Sequence, residues 1–223
     1  YIKSLNPSVV VGLNIKGIYG RNRAFMEAID HPRFVHACDY ISMDGRHEAG
    51  LTESGALVSE IRSFKAARSL GLAVESPPYR LGKIEWAVAM AFNRPVKVGQ
   101  FGYAGETLLQ RAHSPPDLLE YYDFFMGNED FYVETEDVAD VAVLRSFASM
   151  AYNNFETHLS TILLEQTLIQ SKIPFNIVLD RNLEDLSGFP VLALANQESL
   201  SDAQLTQIRD FVKQGGGLVA TES

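Results

Sequence analysis

Glu75 closes the apolar run Gly71–Glu75, and Ser76, Pro77 and Pro78 follow it, so the chain leaves that run in an irregular loop. A carboxylate at the end of an apolar strand is partly desolvated. Hydrolysis of a glycosidic bond by two carboxylates needs such a group as nucleophile or as acid/base. A structural ion pair or a solvated strand end would place a glutamate there equally well. Glu75 has company: Asn14, Asp44, Gln100 and Tyr103 also stand at the carboxyl ends of apolar runs. In parallel α/β folds that edge is where sites are built, although strand ends are also polar because they meet water.

Other chemistry-bearing groups fit known sites poorly. His31, His36, Cys38 and Asp39 fall close together, but in no metal-ligand spacing, and a cysteine beside a strand is an ordinary structural thiol. No metal or cofactor is therefore expected. The glycines between Gly99 and Gly105 lack the spacing of a dinucleotide fingerprint. Gly215 to Gly217 follow a helical pattern and precede an apolar run, as a helix stop does. There is no G-x-S-x-G elbow. With Cys38 the single cysteine, no intrachain disulfide can form, and the C-terminal half has no thiol nucleophile.

The elements that must position these groups alternate between strand and helix. Ser8–Asn14, Tyr40–Asp44, Gly71–Glu75 and Val96–Tyr103 read as buried parallel strands. Helical patterns follow at Arg23–Ile29, Ser54–Ser69 (with Leu57, Ile61 and Phe64 on one face) and Ile84–Phe92. Four such units imply a parallel sheet with right-handed crossovers. A full eight-unit barrel takes roughly 250 residues, so this is half of one. Residues 112–137 read as a joint carrying an aromatic helix, Leu118–Phe125. A second α/β series then runs from Val138–Leu144 through a helix at Thr157–Gln170, with Leu159, Ile162, Leu163 and Ile169 expected inward. Strands at Phe175–Leu179 and Val191–Ala195 follow. Ser201 and Gln204 form a capping box for a helix bearing Leu205, Ile208, Phe211 and Val212, and Leu218–Ala220 starts another strand.

The bulk numbers exclude some partners. A net charge of −9 offers no basic stripe for nucleic acid or an anionic membrane, and no apolar run is long enough to cross a bilayer. Signal-peptide architecture is missing, but the sequence opens at Tyr1 without a methionine, and the compartment is not legible.

The runs IPFNIVLD at 173–180, DLSGFPVLALAN at 185–196, LSDAQL at 200–205 and RDFVKQGGGLVAT at 209–221 resemble the trimerisation domain of glycoside hydrolase family 42 β-galactosidases. That domain is flavodoxin-like and related to class I glutamine amidotransferases without their nucleophile. The resemblance covers roughly residues 138–223. It implies that residues 1–135 are the rear of a (β/α)8 catalytic barrel with its connecting segment, and that 136–223 form the trimerisation-type domain. The strands at 8–14, 40–44, 71–75 and 96–103 would be the fifth to eighth of the barrel. The seventh carries the family's nucleophile, and Val74-Glu75-Ser76-Pro77 is similar to that context. The acid/base glutamate would lie upstream of Tyr1. Asp44, His47, Gln100 and Asn14 become candidates for sugar-hydroxyl contacts, with Tyr79, Trp86 and Tyr103 as stacking platforms. The eighth strand lacks the family's tryptophan and the loop after Glu75 is short. The chain therefore resembles a barrel subgroup sharing the trimerisation domain more than a true β-galactosidase. A carbohydrate substrate and a homo-oligomer, with a trimer as the form the family's domain suggests, are implied. Two activities remain open: a retaining glycoside hydrolase, or an inactive barrel relative used for carbohydrate binding or assembly.

Overall fold

The computed structural model describes residues 1–15, 22–36, 38–43, 50–51, 57–58, 61–75, 83–92, 116–132, 135–153 and 156–221. The chain is an α/β protein with parallel sheets, as the alternation of apolar runs and helical patterns predicts. It divides into two compact units, Tyr1–Gly20 with Val35–Glu136, and Arg21–Phe34 with Asp137–Ser223.

In the first unit, β1 (Gly12–Ile15) and β2 (Tyr40–Met43) pair in parallel. A short antiparallel pair, β3 (Gly50–Leu51) and β4 (Leu57–Val58), comes next in sequence. β5 (Ala73–Glu75) then adds to β2, giving the order β1-β2-β5. Ile41 and Val74 are fully buried, and Phe64, Ala67 and Leu72 join them in the core. Asp39 pins the amino end of the sheet: its carboxylate accepts the Val11 N–H at 2.9 Å and pairs with Lys3.

Two boundaries differ from the sequence reading. The first strand starts at Gly12 rather than Ser8, because Asn6 accepts the N–H groups of Ser8 and Val9 and holds them in a turn. The helix expected from Ser54 spans Ile61–Leu70, since Leu57 and Val58 are taken by β4. That helix packs against β5 and stops at Gly71, whose φ of 76° suits glycine. Its Lys65 is buried, with the ammonium 5.5 Å from the Phe92 ring centre. The helix Lys83–Phe92 forms as expected. The aromatic helix spans Leu119–Gly127 and is followed by Glu129–Tyr132, with Phe125 buried 5.2 Å from the Tyr132 ring. The expected strand Val96–Tyr103 lies outside the described residues.

The second unit holds β6 (Val141–Arg145), β7 (Phe175–Leu179), β8 (Val191–Ala195) and β9 (Gly217–Thr221), all parallel, in the order β7-β6-β8-β9. On one face Ala142, Leu144, Val178 and Leu192 pack with Leu183, Leu186 and Ile208. The capping box forms: Ser201 Oγ accepts the Gln204 N–H, and Gln204 Oε1 accepts the Ser201 N–H at 2.7 Å. The segment at 22–34 joins this unit through Asn22, whose side chain caps the helix Arg23–Glu27 and donates to the Met150 carbonyl at 2.7 Å.

The helix Glu156–Gln170 corrects the sequence reading. Leu159 and Leu163 point outward, 55% and 58% exposed, while Thr157, His158, Thr161, Glu165 and Leu168 are buried. The inverted burial is sustained by pairing. Thr157 Oγ1 donates to the Asn196 carbonyl at 2.7 Å, Thr161 Oγ1 to the Thr157 carbonyl at 2.7 Å, and Gln197 Nε2 to Thr161 Oγ1 at 3.3 Å. Polar groups paired in this way lose little on leaving water.

Candidate functional site

The backbone register of the first sheet decides which candidates stand together. Asn14 pairs with Ser42, and Ser42 with Glu75, so the three form one row across β1, β2 and β5 at their carboxyl ends. Neighbouring positions in such a row are about 4.8 Å apart. One position earlier, and therefore on the opposite face, Ile41 pairs with Val74; both are fully buried. Two positions earlier lies the row Gly12, Tyr40, Ala73, on the same face as the Asn14–Ser42–Glu75 row. A Cβ at Gly12 would fall 2.0 Å from the Tyr40 ring. The glycine thus leaves room for the tyrosine to lie across β1, one layer beneath the polar row.

By residue type the row offers an amide, a hydroxyl and a carboxylate, groups able to donate to and accept from a polyhydroxylated ligand. The carboxylate adds nucleophilic or acid/base capacity. The sequence reading singled out Asn14 and Glu75, and not Ser42 or Tyr40. The register pairs Ser42 with Glu75. Apolar runs alone do not fix the offset between strands. Trp86 stands in the helix Lys83–Phe92. Asp44, His47, Tyr79, Gln100 and Tyr103 lie outside the described residues.

Cys38 is half-buried at the other end of β2. Burial first, and then the Asp39 carboxylate, push its thiol above the ordinary value, with Lys3 pulling the other way. It therefore stays protonated at neutral pH and is a poor nucleophile. Among the described residues no three metal-ligating side chains gather. A groove of about 530 Å³ runs between the helix Lys83–Phe92 and the aromatic helices, lined by Met90, Glu120, Tyr121, Phe124 and Tyr132 among others.

The carboxyl edge of the second sheet is built differently. Its last registered pairs are Arg145 with Leu179 and Ala195 with Thr221. Asp180, just past β7, accepts the Phe147 N–H at 2.9 Å and the Gln204 Nε2 at 2.6 Å. Ser146 N–H donates to Gln197 Oε1, and Ser149 exchanges hydrogen bonds with Ser199. Arg145 Nη2 and His158 Nδ1 are 3.0 Å apart. The polar groups here fasten loops and helix starts to one another.

Two parallel sheets, one with a glutamate in its strand-end row, define an α/β chain. Comparison with solved structures makes the likeness specific. The chain is similar to the cold-adapted β-galactosidase from Rahnella sp. R3, with a TM-score of 0.67 and 14% identity over 98% of this chain and 37% of that one. It is also similar to a catalytic mutant of a GH42 β-galactosidase from G. stearothermophilus, with a TM-score of 0.56 and 15% identity over 98% of this chain and 38% of that one. The GH42-like resemblance read from the sequence is therefore present in the fold. The chain spans less than two fifths of the length of either enzyme. No protein-family profile and no curated protein matches the sequence.

Proposed function

We propose that this chain is part of a retaining glycoside hydrolase: the rear of its (β/α)8 barrel at residues 1–135 and a flavodoxin-like assembly domain at 136–223. The observation that carries the reading is the register row, which puts Glu75 at the carboxyl edge of a parallel sheet beside Ser42 and Asn14. Glu75 attacks the anomeric carbon to form a glycosyl-enzyme ester. A second carboxyl, about 5–5.5 Å away and contributed from upstream of Tyr1, first protonates the leaving oxygen and then activates water. Asn14, Asp44, His47 and Gln100 contact sugar hydroxyls; Tyr79, Trp86 and Tyr103 offer faces for stacking.

The assembly role of the second unit is supported by two features. Its strand order, β7-β6-β8-β9, is the opening of the flavodoxin-like order 2-1-3-4-5. The outward Leu159 and Leu163 give its long helix an apolar face suited to a neighbouring subunit in a homo-oligomer, with a trimer as the form the resemblance implies.

The test is Glu75→Gln in the full-length protein, assayed on a panel of nitrophenyl glycosides. The expected result is a fall in turnover of at least about 10³-fold with the fold unchanged by circular dichroism. Undiminished turnover removes Glu75 from the reaction. A second reading, an inactive barrel relative kept for carbohydrate binding or assembly, is favoured by the run 96–103, which has no tryptophan. Sugar binding by a full-length protein that cleaves no glycoside would establish it.

A further inference from the structure

We infer that the groove between the helix Lys83–Phe92 and the aromatic helices binds an organic ammonium ion; the site does not depend on the role of Glu75. Its volume of about 530 Å³ lies within the roughly 300–1,000 Å³ of small-molecule sites. Its walls come from two helix faces. Lys83, Ala87 and Met90 recur at i, i+4 and i+7 and so share one face of their helix. Ala87 and Met90 line the groove on that side; Glu120, Tyr121 and Phe124 of Leu119–Gly127 line it with Tyr132 of Glu129–Tyr132. Phe125 is buried, with Met90, Tyr121 and Tyr132 packed on it. The aromatic wall is therefore set by the unit's own packing, as the walls of a preformed site are.

A cation already marks the place. Lys83 Nζ lies 5.7 Å from the centre of the Tyr121 ring and 3.4 Å from Glu120 Oε1. A ring face and a carboxylate both attract an ammonium, the first through its quadrupole and the second through its full charge. Lys83 and Glu120 are 52% and 69% exposed, and an ion pair so open to water holds its partners weakly. The long lysine side chain can therefore swing away and yield its place. The local charge calls for a cation as well. Between Arg111 and Arg145 the sequence has nine acidic residues and neither lysine nor arginine. An incoming ammonium takes the position of Lys83 beside Glu120 and over the Tyr121 ring, with its carbon substituents against Phe124, Tyr132 and Met90.

The experiment is a ligand-observed NMR titration of the full-length protein with three probes: choline, its uncharged analogue with carbon in place of the quaternary nitrogen, and methyl glucoside. Choline should bind saturably and about tenfold more tightly than the uncharged analogue. Glu120→Gln and Tyr121→Leu should each weaken choline by about threefold, with the fold unchanged by circular dichroism. Lys83→Ala removes the competing cation and should strengthen choline by about threefold. Equal binding of choline and its analogue overturns the inference, because the groove then recognises apolar shape alone. Weaker binding of choline by Lys83→Ala overturns it too. Methyl glucoside bound in place of choline, and lost in Lys83→Ala, would make the groove a sugar site with Lys83 as a donor. Binding of none of the three also removes the ammonium site.

Discussion

The two units meet the same architectural situation, the carboxyl edge of a parallel sheet, and use it in opposite ways. In the first, the last row shared by all three strands reads Asn14, Ser42, Glu75, by residue type an amide, a hydroxyl and a carboxylate. In the second, the terminal pairs are Arg145 with Leu179 and Ala195 with Thr221, and the nearby carboxylate, Asp180, is engaged by Phe147 N–H and Gln204. A strand end is thus only a permissive place for a site. We read a reactive group in such a row as the mark of a site, and polar groups tied to loop backbone as the mark of a structural joint.

The comparison can be pressed by substitution. The largest effect should come from Leu144→Ala, which empties a fully buried position in the core of the second unit. A loss of about 2–5 kcal/mol in denaturant unfolding is expected; a loss under about 1 kcal/mol would mean that this core is not packed as described. Thr157→Val comes next. It keeps the shape but leaves the buried Asn196 carbonyl without the hydroxyl it accepts from, at an expected cost of about 1–3 kcal/mol. The glycosidase activity proposed for the full-length protein should be unchanged. A large loss of kcat without a loss of stability would show that the second unit takes part in the chemistry.

The smallest effect concerns Asp185. The Ser187 hydroxyl, at 2.6 Å, and then its N–H, at 3.1 Å, hold this exposed carboxyl below the ordinary carboxylate range. A depressed folded-state pKa contributes stability above the unfolded value and loses it as pH falls through the folded one. Because the carboxyl is fully exposed that contribution is small, so Ser187→Ala should raise the Asp185 pKa in an NMR titration and lower stability at neutral pH only slightly. An unchanged pKa would break the assignment of cause.

Much of this was legible in the sequence, unevenly and for physical reasons. β7 and β8 fall where they were read, because each is a short apolar run preceded by a proline, Pro174 and Pro190, which stops what comes before. The helix Asp202–Lys213 was legible from its capping box. The inward face of Glu156–Gln170 was not, because its buried threonines depend on partners in the loop after β8, some forty residues away. Nor was Ser42, since the offset between β2 and β5 is set by tertiary pairing, which a period-two pattern leaves free by two residues. Glu75 was singled out by its place after an apolar run, and the register sets its backbone at the end of β5.

The central claim is that Glu75 forms the covalent bond to the sugar. It is tested most directly by incubating the full-length protein with a 2-deoxy-2-fluoro glycoside of the sugar it turns over, followed by peptide mapping of the trapped ester. The account predicts a single label on the peptide containing Glu75, absent from Glu75→Gln. A label on another carboxylate, or turnover with no trapped ester, would contradict it.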